Sequence, residues 1–378
     1  MNQDDHIINR RSMIRAASVT AGAAFAGKTV FSGATAAADT AGADNPAPAE
    51  PPAGRYRIDM HAHFLPPRYR ESLLAHGHFL IGGYPLPEWS PEAAVSFMDD
   101  WGIQAQVLSV SDPAVAFVRG AEAHDLARYC NDYAADLIAR QGDRFGALAT
   151  LPMPDVAASI SELHHALDVR GLDGVTLLSA YYGVYLGDPR FEPLMAELNR
   201  RKAYVFIHPA SISADAKPEL PLPDFLAEFT FDTTRAAILL MTTGVLDRYP
   251  DIRFQLSHAG GTLPFLAGRL GVVSASPVGE IWPDTLPKVS LLHTEELLSR
   301  FYYDTALSSH PWAMGSALSV TDSSHIVFGS DWPFSQLTFR GSGDPAPRLQ
   351  ETFDTAGRLE VERNNQLREL PGLASRIG

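Results

Sequence analysis

Cysteine is almost absent. Cys130 is the only one in 378 residues, so the chain can form no intrachain disulfide and no thiolate metal cluster. Its helical-looking surroundings (DLARYCNDYAADLIA) mark it as a small buried apolar residue. Positive charge is also short. Against 44 Asp and Glu stand 30 Lys and Arg, a formal net charge of −14, which argues against nucleic acid or an anionic membrane as partner. No glycine-rich dinucleotide loop follows the first apolar run. What is there, 46% hydrophobic and 20% charged residues, is the composition of a soluble globular protein with length enough for a sizeable core.

The N-terminus reads as a leader. NRRSMIRAASVTAGAAFAG places Arg10 and Arg11 before a mild Ala/Gly-rich apolar stretch, and the small-residue segment ATAAADT follows. This resembles a twin-arginine signal over residues 1–38, with Met13-Ile14 where Phe-Leu is usual. Its apolar part is too short and weak to stay as a membrane span. Residues 39–54 (DTAGADNPAPAEPPAG) read as a Pro/Ala-rich linker, which leaves 55–378 as one folded domain. The expected location is therefore outside the cytoplasm, periplasmic or extracellular.

Past the linker one pattern repeats: a short β-rich apolar run, a polar loop, then a segment of helical period. The runs are RYRIDMHAH (55–63), QAQVLSV (104–110), FGALATL (145–151) and GVTLLSA (174–180). Then come YVFIHPA (204–210), RFQLSHA (253–259), FYYDTAL (301–307) and HIVFGSD (325–331). Eight strands alternating with helices predict an α/β fold with a parallel sheet, and eight is the number that closes a (β/α)8 TIM barrel. An open doubly wound sheet is the alternative.

In a barrel of this kind chemistry sits at the C-terminal ends of the strands. His61 and His63 end the first run, with Asp59 on the same face if strand alternation holds. His208 ends the fifth run, His258 the sixth and Asp331 the eighth. Three imidazoles (His61, His63, His208) and the Asp331 carboxylate suit one divalent ion, Zn²⁺ first and Mn²⁺ second, with room for water or substrate. His258 is left as an acid/base or hydrogen-bonding group. Taken singly, each of these residues has an ordinary structural use: a core histidine, or a turn-capping aspartate.

The motifs IDMHAHFLP, WSPEAAVSFMDDWGI, VFIHP, LDRYPDIRFQLSHAGGTLPFLAGR, FYYDTA and FGSDWPF together resemble the amidohydrolase superfamily. The likeness is to the branch of aminocarboxymuconate semialdehyde decarboxylase and related non-oxidative decarboxylases, and it spans about residues 55 to 373. HFLPPRYRESLLAHG and GYPLPEWSPE are most similar to 6-methylsalicylate decarboxylases. The resemblance implies metal ligands at His61, His63, His208 and Asp331, a catalytic His258, and Asp59 as a supporting carboxylate rather than a ligand. GVTLLSAYYG holds no lysine to bridge a second metal, so one ion is expected. The implied reaction is loss of CO2 from a small, salicylate-like carboxylic acid, with Asp331 or His258 delivering the proton. Arg269 matches an arginine that in the semialdehyde enzyme enters the neighbouring subunit's site, which implies a homodimer. Trp332, Tyr181 and His310 are further candidates for substrate contact, and Asp304 for orienting a ligand histidine. A lactone, ester or amide hydrolase using the same site is the second reading. A barrel that binds without catalysing is the third.

Overall fold

The computed structural model describes residues 54–213, 216–218, 220–275, 291–336 and 344–378. The leader expected at 1–38, and all of the linker but Gly54, lie outside the described residues. All eight expected runs form strands: β1 Arg57–His63, β2 Ile103–Ser109, β3 Phe145–Thr150 and β4 Gly174–Leu178. β5 Tyr204–His208, β6 Arg253–Leu256, β7 Tyr302–Asp304 and β8 Ile326–Val327 complete the set. They hydrogen-bond in sequence order as one eight-stranded sheet, each neighbour parallel. Strands buried on both faces are mostly apolar, and β1, which buries Arg57, Asp59, His61 and His63, is the chief exception.

The ring closes between β1 and the chain leaving β8. Met60 N–H donates to Phe328 O at 2.8 Å, Asp331 N–H to His61 O at 2.7 Å and His63 N–H to Trp332 O at 2.7 Å. Helices cover the outside. In Pro91–Asp100, Ser90 caps the start by accepting from Ala93 N–H, and Ala94 and Met98 turn inward at i,i+4 spacing. Ala121–Gln141 buries Leu126, Ala127, Cys130, Ala134 and Leu137 by the same logic. The barrel interior below the rim is apolar (Ile58, Met60, Val107, Leu148, Tyr204, Phe206), and Leu370 and Leu373 of the C-terminal segment pack into the same cluster.

Two local expectations need correction. Strict alternation along β1 would put Ile58 and Met60 on the face opposite His61. They instead share the interior cluster with Phe206, on which the His61 ring also packs edge-on at 4.7 Å. A register shift between Asp59 and Ala62 breaks the period. The ends of the later strands also differ. β6 stops at Leu256 and β8 at Val327, so His258 and Asp331 stand in the turns beyond, at φ 56° and 58°.

Candidate active site

Three imidazoles are held from behind. His61 Nδ1 lies 2.9 Å from Asp304 Oδ2, and His208 Nδ1 lies 2.8 Å from Pro209 O. His63 Nδ1 faces Ser109 Oγ at 3.1 Å and the Ser109 carbonyl at 3.3 Å. Carboxylates and carbonyls only accept, so these rings carry their proton on Nδ1 and present a bare Nε2 lone pair to the interior. There the lone pairs meet. His61 Nε2 is 3.1 Å from His63 Nε2, and Asp331 Oδ1 is 3.4 and 3.1 Å from those two atoms. One donor atom from each of His61, His63, His208 and Asp331 lies within 4.8 Å of all the others, and all four residues are buried.

Four acceptors aimed at one point repel unless a positive charge stands among them. With protein atoms alone, a proton must serve. Burial opposes charge on His61, but Asp304 and Asp331 on either side outweigh it and push its pKa up to about 10. Burial and then His61's charge hold His63 below the ordinary histidine value, against Asp331's pull, and burial with the neighbouring imidazoles drives His208 well below it. Burial would also raise Asp331, yet the surrounding histidines hold its carboxyl well below the usual range. A divalent cation answers the same demand better. Tetrahedral bonds of about 2.1 Å place ligand atoms about 3.4 Å apart, and the closest pairs here are at 3.1 to 3.4 Å. The residues present fit a metal.

Asp304 and Asp59 fix the frame. Besides His61 Nδ1, Asp304 accepts from Gln255 Nε2 at 2.9 Å, His258 N–H at 2.8 Å and Ala306 N–H at 3.1 Å. It therefore positions a ligand ring and the His258 backbone together. Asp59 stands outside the ligand quartet. It accepts from Ser330 N–H at 2.9 Å, Ser330 Oγ at 2.6 Å, Gln106 Nε2 at 3.0 Å and His61 N–H at 3.2 Å. That ties β1 to the residue preceding Asp331. Burial pushes the Asp59 carboxyl up to about 6, and those hydrogen bonds pull against it. His258 is buried with neither ring nitrogen hydrogen-bonded, and its Nε2 lies 3.6 Å from Asp331 Oδ2.

Above the quartet opens a narrow cleft lined by Ile81, Tyr84, Ser111, His208, Phe225, Phe229, His258, Leu307, Asp331 and Phe334. Part of its cover is the hairpin of Leu80–Ile81 and Tyr84–Pro85, where Gly82 O accepts from Phe225 N–H at 3.0 Å. Trp332, Tyr181 and His310, expected as substrate contacts, are not in this lining, and Arg269 was expected at the neighbouring subunit's site. Trp332 turns into the core and stacks on Phe97 at 5.3 Å. Tyr181 is buried against Phe191, its hydroxyl accepting from Leu178 N–H at 2.9 Å. His310 stacks on Trp312 and meets Arg348 Nη1 at 3.2 Å. Arg269 is exposed on the helix Leu263–Ala275. Sequence reasoning missed Ser111, Ile81, Tyr84, Phe225, Phe229 and Leu307. Only Ser111, two residues past β2, carried a signal, being a polar residue just beyond a strand end.

A family model described as Amidohydrolase matches residues 58–355. Decarboxylase yanB of Aspergillus niger is 37% identical over 324 residues, covering 81% of this chain and 84% of its own. A 6-methylsalicylic acid decarboxylase of Penicillium expansum is 36% identical over 284 residues, covering 73% of this chain and 85% of its own. Among solved structures, 5-carboxyvanillate decarboxylase of Novosphingobium aromaticivorans, complexed with manganese and 4-hydroxy-3-methoxy-5-nitrobenzoic acid, superposes with a TM-score of 0.73. It shares 20% identity, over 84% of this chain and 96% of that one, and shows the same fold.

Proposed function

This chain belongs to the amidohydrolase family, and from that premise we propose that it is a metal-dependent, non-oxidative decarboxylase of a small salicylate-like aromatic acid. The observation that carries the proposal is the convergence of four buried acceptor atoms beneath a largely apolar cleft that also holds a hydrogen-bond-free His258. The relatives named as decarboxylases, one of them of 6-methylsalicylic acid, support the substrate class. His61, His63, His208 and Asp331 would hold one divalent ion. The donor set suits Zn²⁺, and a solved relative binds manganese. Bound there, the ion supplies Lewis acidity toward a carboxylate and an adjacent hydroxyl.

The remaining work falls to the chain itself. Breaking the bond from ring carbon to carboxylate leaves an electron pair that the ring cannot hold. A proton added to that carbon first provides the sink. The C–COO⁻ bond then breaks, CO2 leaves, and its electron pair restores the aromatic ring. His258 and Asp331, 3.6 Å apart at the base of the cleft, are the pair that stores and delivers this proton. Asp304 holds His258 through its backbone, and the aromatic wall keeps water from the reacting carbon.

CO2 release from metal-loaded protein with a panel of salicylates tests the proposal. Release should vanish on chelation and fall by about 10² to 10⁴-fold in His258→Ala. If no acid yields CO2 while lactones or esters are cleaved, the hydrolase reading replaces this one. We further propose that two copies pair through the helix Leu263–Ala275, supported by exposed Arg269 and Phe265 (80% exposed). Export through the leader marked by Arg10 and Arg11 is likewise our reading of the sequence.

A further inference from the structure

Among the described residues, eight other than glycine hold φ in the left-handed region. Three of the eight line the cleft: His258, Asp331 and Leu307. Strained backbone gathers where function needs a side chain held in an awkward place, and the chemistry accounts for the first two. Leu307 takes part in no proton transfer and holds no ion, yet it adopts φ 52°.

Its setting makes the choice of leucine harder to explain by stability. Ser308 N–H donates to Thr305 O at 3.0 Å, closing a four-residue turn just past β7. Leu307 is the third residue of that turn. A positive φ there favours glycine or asparagine, because a Cβ crowds the following carbonyl. Burial does not compensate, since Leu307 remains 36% exposed.

What the side chain does is form cleft wall. β7 lies between β6 and β8 in the ring, so Leu307 stands on the rim between His258 and Asp331. With Ile81, Phe225, Phe229 and Phe334 it makes that wall apolar, and no Lys or Arg is among the described lining residues that one copy supplies. An acid can turn its carboxylate and neighbouring hydroxyl toward the polar base and rest its ring edge on the wall. A second carboxylate or hydroxyl against that wall would lose its water for little in return.

We propose that Leu307 is a specificity-determining residue that selects aromatic acids bearing a small alkyl group on the ring over those bearing a further hydroxyl or carboxylate. The proposal rests on the aromatic-acid reading above, and binding is measured apart from turnover to keep the two separable. Probes in which nitro replaces carboxylate cannot lose CO2: 2-nitrophenol, 3-methyl-2-nitrophenol and 2-nitroresorcinol. Their Kd values would be measured by calorimetry on manganese-loaded wild type, Leu307→Gly and Leu307→Asn, alongside thermal melts and CO2 release from the matching acids. Wild type should favour the methyl probe over the resorcinol by about tenfold or more. Both variants should lose most of that preference, and Leu307→Gly should melt no lower than wild type because glycine relieves the turn.

A preference unchanged in both variants, or absent in wild type, overturns the proposal. So does a lower melting temperature in Leu307→Gly, which would make Leu307 a packing residue. Selective probe binding without CO2 from any acid would sink the decarboxylase reading and leave the role of Leu307 standing. CO2 release with no change in preference would do the reverse. If none of the probes binds, both fall.

Discussion

Asp112 is 5% exposed and accepts from Ser211 N–H at 3.0 Å and Ser211 Oγ at 2.5 Å, joining the loop after β2 to the loop after β5. Burial pushes its carboxyl up to about 6, against the pull of the Ser211 bonds. In the unfolded chain the group titrates near 3.9. Between those values the folded protein keeps a proton that the unfolded chain has released. Its contribution to stability is therefore whole below about pH 4 and is lost as pH rises through 6. Asp112→Asn stays neutral throughout, and Ser211 Oγ can accept from the new amide. The variant should match wild type in urea unfolding at pH 4.5 and exceed it at pH 8 by on the order of 1–2 kcal/mol. An equal offset at both pH values would count against this account. Other single residues were legible to different degrees. His61, His63, His208, His258 and Asp331 announced themselves by ending apolar runs. Trp332 misled because one position past Asp331 the chain has already turned toward Phe97. Nothing local to Phe225 or Phe229 says that they face a site built from other strands.

At the scale of elements, the eight strands were readable because strands covered on both faces carry dense apolar runs. Their ends were not. A run such as HIVFGSD continues beyond Val327, but its backbone leaves the β7 ladder to bond β1 instead. That crossing is close. A Cβ on Gly329 would stand 2.6 Å from His61 Cβ, the first side-chain atom of a ligand ring. Gly329→Ala should therefore push His61 and β8 apart, costing about 1–3 kcal/mol of stability and weakening metal retention. Melts and metal titrations would show both effects. Gly268, on the exposed helix with nothing within 4 Å of a built Cβ, is the matched control. Gly268→Ala should gain up to about 1 kcal/mol and leave metal binding unchanged. If the two variants behave alike, the tight seam is not what limits position 329. The break in alternation between Asp59 and Ala62 was invisible for a related reason: a register shift depends on the partner strand, and the sequence shows one strand at a time.

For the molecule as a whole, the strand count and the shared pole of the strand ends told the architecture and the ligand set. The cleft was not foreseeable, because its walls come from a hairpin after β1, a segment after β5 and a turn after β7. An ion held by His61, His63, His208 and Asp331 clamps two strands, β1 and β5, and the turn past β8. At a thousandfold above its Kd it should stabilise the fold by about 4 kcal/mol. Calorimetry with and without chelator should show a lower melting temperature for the stripped protein, and identical melts would mean that the quartet holds no ion. The seam at which Asp59 grips Ser330 also has a consequence in time. On the ribosome, both histidines of β1 emerge some 270 residues before the carboxylate that completes their set. A nascent chain, or one ended before Asp331, would offer imidazoles without that carboxylate, while a finished ring offers the whole set. Metal uptake would then act as a proofreading step, retaining its ion firmly only in chains synthesised through Asp331.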